Sequence, residues 1–207
     1  MMKADYTLYL VTDRELSRGR SLYEIVLEAI EGGVTCVQLR EKHCSTREFL
    51  EQAHTLRPLL EKHQIPLIIN DRIDIALAVN ADGIHLGQKD MPLHLARTIA
   101  PEMIIGISAE NTDDAIMAER EGADYIGISP VFATPTKTDT STPLGLEGIA
   151  AIRKKVSLPI VGIGGINADN ASQVIKAGAD GIAVVSAIVS ADSPRKAANR
   201  LLSLVQQ

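Results

Sequence analysis

A chain of 207 residues with 45% hydrophobic positions is long enough to bury a substantial core, as one large domain or two small ones. Its formal charge of -5 and sequence pI of about 5.5 exclude a globally basic surface for nucleic acid or an anionic membrane, so any anionic ligand must be met by a local positive field. Aromatic residues make up 3% with no Trp, which argues against stacking platforms for single-stranded nucleic acid or sugars.

Short β-branched runs alternate with amphipathic stretches from end to end. The stretch Met1 to Asp13 has no basic region followed by an apolar segment and a cleavage site, so no targeting segment is expected, and no apolar run approaches the length that spans a bilayer. Strands are expected at Thr7–Thr12, Val34–Arg40, Pro66–Asn70, Gly83–Leu86, Met103–Ser108, Tyr125–Ile128, Pro159–Ile163 and Gly181–Val185. Between them Ser21 with Glu24, and Ser45 with Glu48, fit the capping box, while Asn111 and Asn167 look like N-caps. Helix ends repeat a punctuation: Asn80-Ala81-Asp82, Gly122-Ala123-Asp124 and Gly178-Ala179-Asp180, with Gly32-Gly33 earlier. Each puts a residue tolerant of left-handed backbone where a helix stops and the next strand begins. Eight nearly continuous apolar strands alternating with helices predict an α/β fold, a single (β/α)8 TIM barrel domain over residues 1–207. A doubly wound sheet would show a glycine-rich fingerprint after the first strand, and Thr12-Asp13-Arg14 is not one.

Cys36 and Cys44 form no CxxC and have no pair of histidines at zinc spacing. They read as free thiols in a reducing compartment, which predicts a cytoplasmic location.

Strand alternation puts Gln38, Arg40 and Lys42 on one face of their strand, with Val37 and Leu39 toward the helices. An inward cation costs several kcal/mol unless an anion meets it, either a ligand or an internal acid such as Glu41. Two cations and an amide on one face favour the ligand. Asp71, after the third strand, and Asp90, after the fourth, are placed on adjacent loops where two carboxylates suit magnesium, although each also suits a helix start. The glycines of Gly162-Ile163-Gly164-Gly165, with Val185-Ser186 after the last strand, fit the phosphate site that barrels build from these two loops. Close packing needs glycine as well. The loop Phe132-Ala133-Thr134-Pro135-Thr136-Lys137-Thr138-Asp139 sets one cation among hydroxyls, suited to a phosphate oxygen or to a solvated surface. His85, in or just after a strand, is a candidate to face the site, although a lone strand histidine is more often a satisfied structural residue. There is no Ser-His-Asp or Cys-His arrangement.

Taken together, Gln38 to Lys42, Asn70-Asp71, Asp90, Ser108, Thr134 to Lys137, Gly164-Gly165 and Val185-Ser186 resemble the thiamine-phosphate synthase family. The resemblance runs from Tyr9-Leu10-Val11-Thr12-Asp13 to Ser186-Ala187-Ile188. It implies a (β/α)8 barrel joining a hydroxymethylpyrimidine diphosphate to a thiazole phosphate, carboxylated or not, with release of pyrophosphate and Mg2+ as cofactor. By the same resemblance Gln38, Arg40, Lys42, Asn70, Ser108 and Lys137 would hold the pyrimidine diphosphate, and Leu39 and Glu41 lie within that binding stretch. Asp71 and Asp90 would bind the metal, while Thr134, Pro135, Thr136, Gly165, Val185 and Ser186 would meet the thiazole phosphate. Arg40, Lys42, Ser108 and Lys137 would carry the catalysis. The implied partners are small molecules, without nucleic acid or membrane, and a homodimer is compatible with the family. Two departures stand out: Glu110 where many members carry histidine, and Ser129 where many carry glycine.

A thiazole tautomerase on the same barrel is a rival reading, but it typically carries a histidine before the valine-phenylalanine pair. Here Pro130 precedes Val131-Phe132. A non-catalytic protein that binds thiamine phosphate is a rival of another class.

Overall fold

The structure, a computed structural model, describes residues 4–134 and 142–206. In chain order it runs β1 (Leu8–Val11), α1 (Leu22–Glu31), β2 (Cys36–Leu39), α2 (Thr46–Lys62), β3 (Leu67–Asn70), α3 (Ile73–Ala78) and β4 (Gly83–Leu86). There follow α4 (Leu93–Ile99), β5 (Ile104–Ala109), α5 (Thr112–Arg120), β6 (Tyr125–Ile128), α6 (Gly145–Arg153) and β7 (Ile160–Ile163). The chain ends with α7 (Ala171–Lys176), β8 (Gly181–Val184), the short α8 (Ser186–Val189) and α9 (Pro194–Val205). The eight strands pair in parallel and in sequence order, and β8 returns to β1 to close a barrel. All eight expected strands form, each within two residues of its expected ends.

Alternation along the strands divides the apolar residues into two cores. Leu8, Leu10, Val37, Leu39, Ile69, Ile105 and Ile126 face outward and pack under the helices. Tyr9, Cys36, Ile68, Ile104, Tyr125, Val161 and Ala183 fill the inside. Two glycines shape that interior. A Cβ on Gly106 would lie 2.1 Å from Tyr125 Cζ, and one on Gly127 would lie 3.1 Å from His85 Cε1. The bare backbone there makes room for two rings from neighbouring strands.

Ser45 and Glu48 form the expected capping box at α2, and Asn111 caps α5 by accepting from Asp114 N–H. Two expectations need correction. Ser21 precedes α1 but makes no side-chain cap bond. Asn167 does not cap α7: Asn170 holds the N-cap position, without a side-chain cap bond, while Asn167 Oδ1 accepts from Asp169 N–H and Asn170 Oδ1 from Asn167 N–H in the turn before it.

The helix-end punctuation has left-handed backbone at Gly33, Asn80, Gly122 and Gly178. The aspartate that follows three of these fastens the floor of the barrel. Asp82, Asp124 and Asp180 each accept an N–H from the first two residues of the preceding odd-numbered strand, from Leu67, Ile105 and Ile160, all at 2.8 Å. Each also pairs with a helix arginine: Arg57 with Asp82, Arg97 with Asp124 at 2.7 Å, and Arg153 with Asp180 at 2.9 Å. Before β2 the same position is Thr35, whose hydroxyl accepts from Leu8 N–H at 3.0 Å. The floor therefore repeats every second strand. Backbone bonds to a charged acceptor contribute about 1.5–3 kcal/mol each.

Candidate active site

A cavity of about 640 Å³ opens at the carboxyl ends of the strands, with Tyr9, His85, Tyr125 and Val161 in its floor. Its walls bring together Gln38, Arg40, Lys42, Asn70, Asp71, Asp90, Ser108, Thr134, Gly165, Val185 and Ser186. Pro135, Thr136 and Lys137 lie outside the described residues. Leu39 and Glu41 do not face the cavity. Leu39 is fully buried on the helix side by strand alternation, and the Glu41 carboxylate, only 4% exposed, turns to Arg14 at 3.2 Å.

Both inward cations have acid partners. Arg40 Nη1 lies 3.3 Å from Asp13 Oδ2, and Lys42 Nζ lies 2.5 Å from Asp71 Oδ2. Internal pairing is thus real, through Asp13 and Asp71 instead of Glu41, and a bound anion would have to share or displace these carboxylates.

Asp71 follows β3 in left-handed backbone with φ of 61°, its N–H donating to the His85 carbonyl at 2.9 Å. Asp90 accepts from Gly87 N–H at 2.7 Å. Neither carboxylate caps a helix, since Arg72 and Pro92 hold those positions without side-chain cap bonds. Partial burial, followed by the neighbouring Asp71 carboxyl, raises the Asp90 carboxyl above its ordinary value. Such a pair favours one shared proton or one cation. Among the described residues no group of three or more His, Cys, Asp or Glu is placed to hold a metal. Magnesium held here would complete its shell with water and ligand oxygens, the arrangement it usually adopts.

The loop after β7 has left-handed backbone at Gly164 and Gly165, with φ of 100° and 65°. A Cβ on Gly164 would come within 2.9 Å of the Pro130 backbone, and one on Gly165 within 2.7 Å of the Ala133 carbonyl oxygen. Phe132 N–H donates to the Gly164 carbonyl at 3.0 Å, so these glycines let the β6 and β7 loops lie against each other. Gly162 serves the strand-to-helix packing, facing Val174. Val185 and Ser186 open the short α8 beside this loop, as in the phosphate corner of many barrels.

Sequence reasoning passed over several residues at this cavity. His85, weighed as site-facing but read first as structural, lies in its floor with Nε2 2.9 Å from Ser108 Oγ and Nδ1 3.0 Å from the Tyr125 hydroxyl. Tyr125 OH is 2.9 Å from Tyr9 OH, which accepts from Gln38 Nε2 at 3.0 Å. Burial raises both tyrosine hydroxyls well above their ordinary values, so they remain protonated links. Counting every second residue back from Ser108 and Gly127 was the available signal for this inner set. Gln88 adds a bond to the Ser108 carbonyl at 2.5 Å, and Glu110 and Ser129, the two departures, also line the cavity.

Residues 8–188 match a family model described as thiamine monophosphate synthase. A thiamine-phosphate synthase of Chloroflexus aurantiacus is 56% identical over 201 residues, covering 97% of this chain and 93% of the relative. That of Clostridium novyi is 52% identical over 204 residues, covering 98% and 100%. The solved thiamine phosphate pyrophosphorylase of Pyrococcus furiosus superposes with a TM-score of 0.91 at 45% identity, covering 99% of this chain and 97% of that one. A 3-hexulose-6-phosphate synthase at 17% identity and TM-score 0.69 shares the fold alone.

Proposed function

Since this chain belongs to the thiamine monophosphate synthase family, we propose that it is a transferase joining a hydroxymethylpyrimidine diphosphate to a thiazole phosphate with release of pyrophosphate. The observation that carries the reading is the meeting of Arg40, Lys42, Asp71, Asp90 and Ser108 at the mouth of one barrel, across from the Gly165 and Ser186 corner. Two ligand ends of like charge thereby have separate places within one cavity.

In this reading Gln38, Asn70 and Ser108 orient the pyrimidine, while Arg40 and Lys42, with Lys137 from the loop, hold the oxygens of the departing diphosphate. Thr134, Gly165, Val185 and Ser186, with Pro135 and Thr136, hold the thiazole phosphate. Asp71 and Asp90 suit magnesium by their donor chemistry, and bound there it would offset charge developing on the leaving group. The 4-amino group pushes electron density toward the exocyclic methylene, so the carbon–oxygen bond breaks before the thiazole nitrogen attacks. No protein nucleophile is needed, and the chain contributes position and electrostatics. A reducing, cytoplasmic setting suits the free thiols of Cys36 and Cys44. Among the described residues no helix is long and apolar enough to cross a membrane. A homodimer belongs to the same reading, with exposed Leu95, Ile99 and Met117 as available apolar surface.

An assay of pyrophosphate release with both substrates and magnesium tests the proposal. Release that requires both substrates supports it. Isomerisation of a thiazole without pyrophosphate would turn the reading to a tautomerase, and binding without turnover to a non-catalytic protein.

A further inference from the structure

Five residues from five strands form a continuous polar chain beneath the cavity. Gln38 Nε2 donates to Tyr9 OH at 3.0 Å, Tyr9 OH meets Tyr125 OH at 2.9 Å, Tyr125 OH meets His85 Nδ1 at 3.0 Å, and His85 Nε2 meets Ser108 Oγ at 2.9 Å. Each hydroxyl has one hydrogen to give and can accept more than once, so the direction follows the better acceptor; for Tyr9 that is the Tyr125 oxygen, the neighbouring Cys36 thiol being a weak one. With the Gln38 amide donating, the Tyr9 oxygen is the acceptor and its hydrogen passes to Tyr125. The Tyr125 hydrogen then goes to Nδ1, leaving that nitrogen without a proton of its own. A neutral imidazole must in consequence carry its proton on Nε2 and donate it to Ser108. Ser108 accepts from histidine and keeps its own hydrogen for the cavity it lines. The reverse direction would put the histidine proton on Nδ1 and turn the Ser108 hydrogen into the floor.

We propose that this one-way hydrogen-bond chain holds His85 in the Nε2–H form and so presents Ser108 to the pyrimidine diphosphate as a hydrogen-bond donor, making His85 and Tyr125 positioning residues. Gly106 and Gly127 serve the same end, because a side chain at either would press on the Tyr125 or the His85 ring. The group that meets Ser108 is therefore an acceptor on the substrate. That last clause rests on the function proposed above, whereas the direction of the chain does not.

The experiment is a long-range proton–nitrogen correlation of the imidazoles in 15N-labelled full-length protein near neutral pH. Five histidines keep the spectrum sparse. His85 is assigned by its loss in His85→Gln or, should that variant not fold, by its response to Tyr125→Phe. The expected wild-type spectrum shows His85 protonated on Nε2 and unprotonated on Nδ1. In Tyr125→Phe the preference for that form should weaken, and KM for the pyrimidine diphosphate should rise about tenfold with a smaller change in kcat. Tyr9→Phe, which cuts His85 off from the Gln38 donor, should weaken the same preference. A wild-type His85 protonated on Nδ1, or on both nitrogens, overturns the proposal whether or not pyrophosphate is released. Failure of pyrophosphate release with the Nε2–H form intact would instead overturn the proposed function alone.

Discussion

Lys42 Nζ lies 2.5 Å from Asp71 Oδ2, and Asp71 is in turn the acid neighbour that, after burial, raises the carboxyl of Asp90 across the loops after β3 and β4. One cation thus serves a pair of acids that a divalent ion would also occupy. Lys42→Met should lower turnover about 10²- to 10³-fold, as loss of a preorganised donor to the leaving group. Removal of the competing ammonium should at the same time tighten magnesium binding to the free protein. Steady-state rates and a calorimetric magnesium titration measure the two effects. Weaker magnesium binding in the variant would argue that these aspartates are not the metal site.

Asp71 sits in left-handed backbone, where asparagine is tolerated and alanine is not. Asp71→Asn should fold with near wild-type stability while raising the magnesium needed for half-maximal rate. Asp71→Ala should show the same magnesium effect and also lose about 1–2 kcal/mol of stability. Equal denaturation midpoints for the two variants would show that the backbone there is unstrained.

The two interior glycines should respond differently to a methyl group. Gly106→Ala meets the Tyr125 ring at 2.1 Å, and a fully buried ring has nowhere to go, so a loss of about 1–3 kcal/mol or more is expected in urea unfolding. Gly127→Ala meets His85 at 3.1 Å, which asks for a shift of only a few tenths of an ångström. Its stability loss should be about 1 kcal/mol or less, with the change appearing in kcat/KM for the pyrimidine diphosphate. A Gly106→Ala protein of normal stability would contradict the packing described for the barrel interior.

Glu119 supports the floor from α5, accepting from Ser157 N–H at 2.7 Å and Ser157 Oγ at 2.6 Å. These bonds, the Ser157 hydroxyl foremost, hold its acid below the ordinary value of 4.5. The unfolded chain therefore takes up this proton first as pH falls, so the stabilisation is present above pH 4.5 and is lost as pH drops through the folded value. Melting temperatures of wild type and Glu119→Gln should differ most above pH 5 and converge toward pH 3, both pH values being about half a unit or more from the ordinary glutamate value. A gap that widens in acid would reverse the assignment.

The strands were legible because a two-residue period separates the outer set, such as Leu8, Leu10 and Val37, from inner residues such as Tyr9 and Cys36. The mouth was legible in outline for the same reason: Gln38, Arg40 and Lys42 share one face of their strand. Their partners were not. Asp13 is 27 residues from Arg40, and His85 draws its partners from β5 and β6, so only the closed register shows who meets whom. The cap expected at Asn167 was not legible either, because its side-chain oxygen is committed to Asp169 N–H in the turn before α7, a local bond that spacing alone does not show.

The clasps beneath β3, β5 and β7 have a consequence for how such a chain tolerates change. Asp82, Asp124 and Asp180 lock the ends of the strands farthest from the chemistry, each drawing one helix and two strands into a single knot. Anchorage and reactivity are thereby assigned to opposite poles. Loops at the reactive pole are free to be rewritten for a different acceptor, whereas loosening any knot should unravel its own quarter of the ring before the rest.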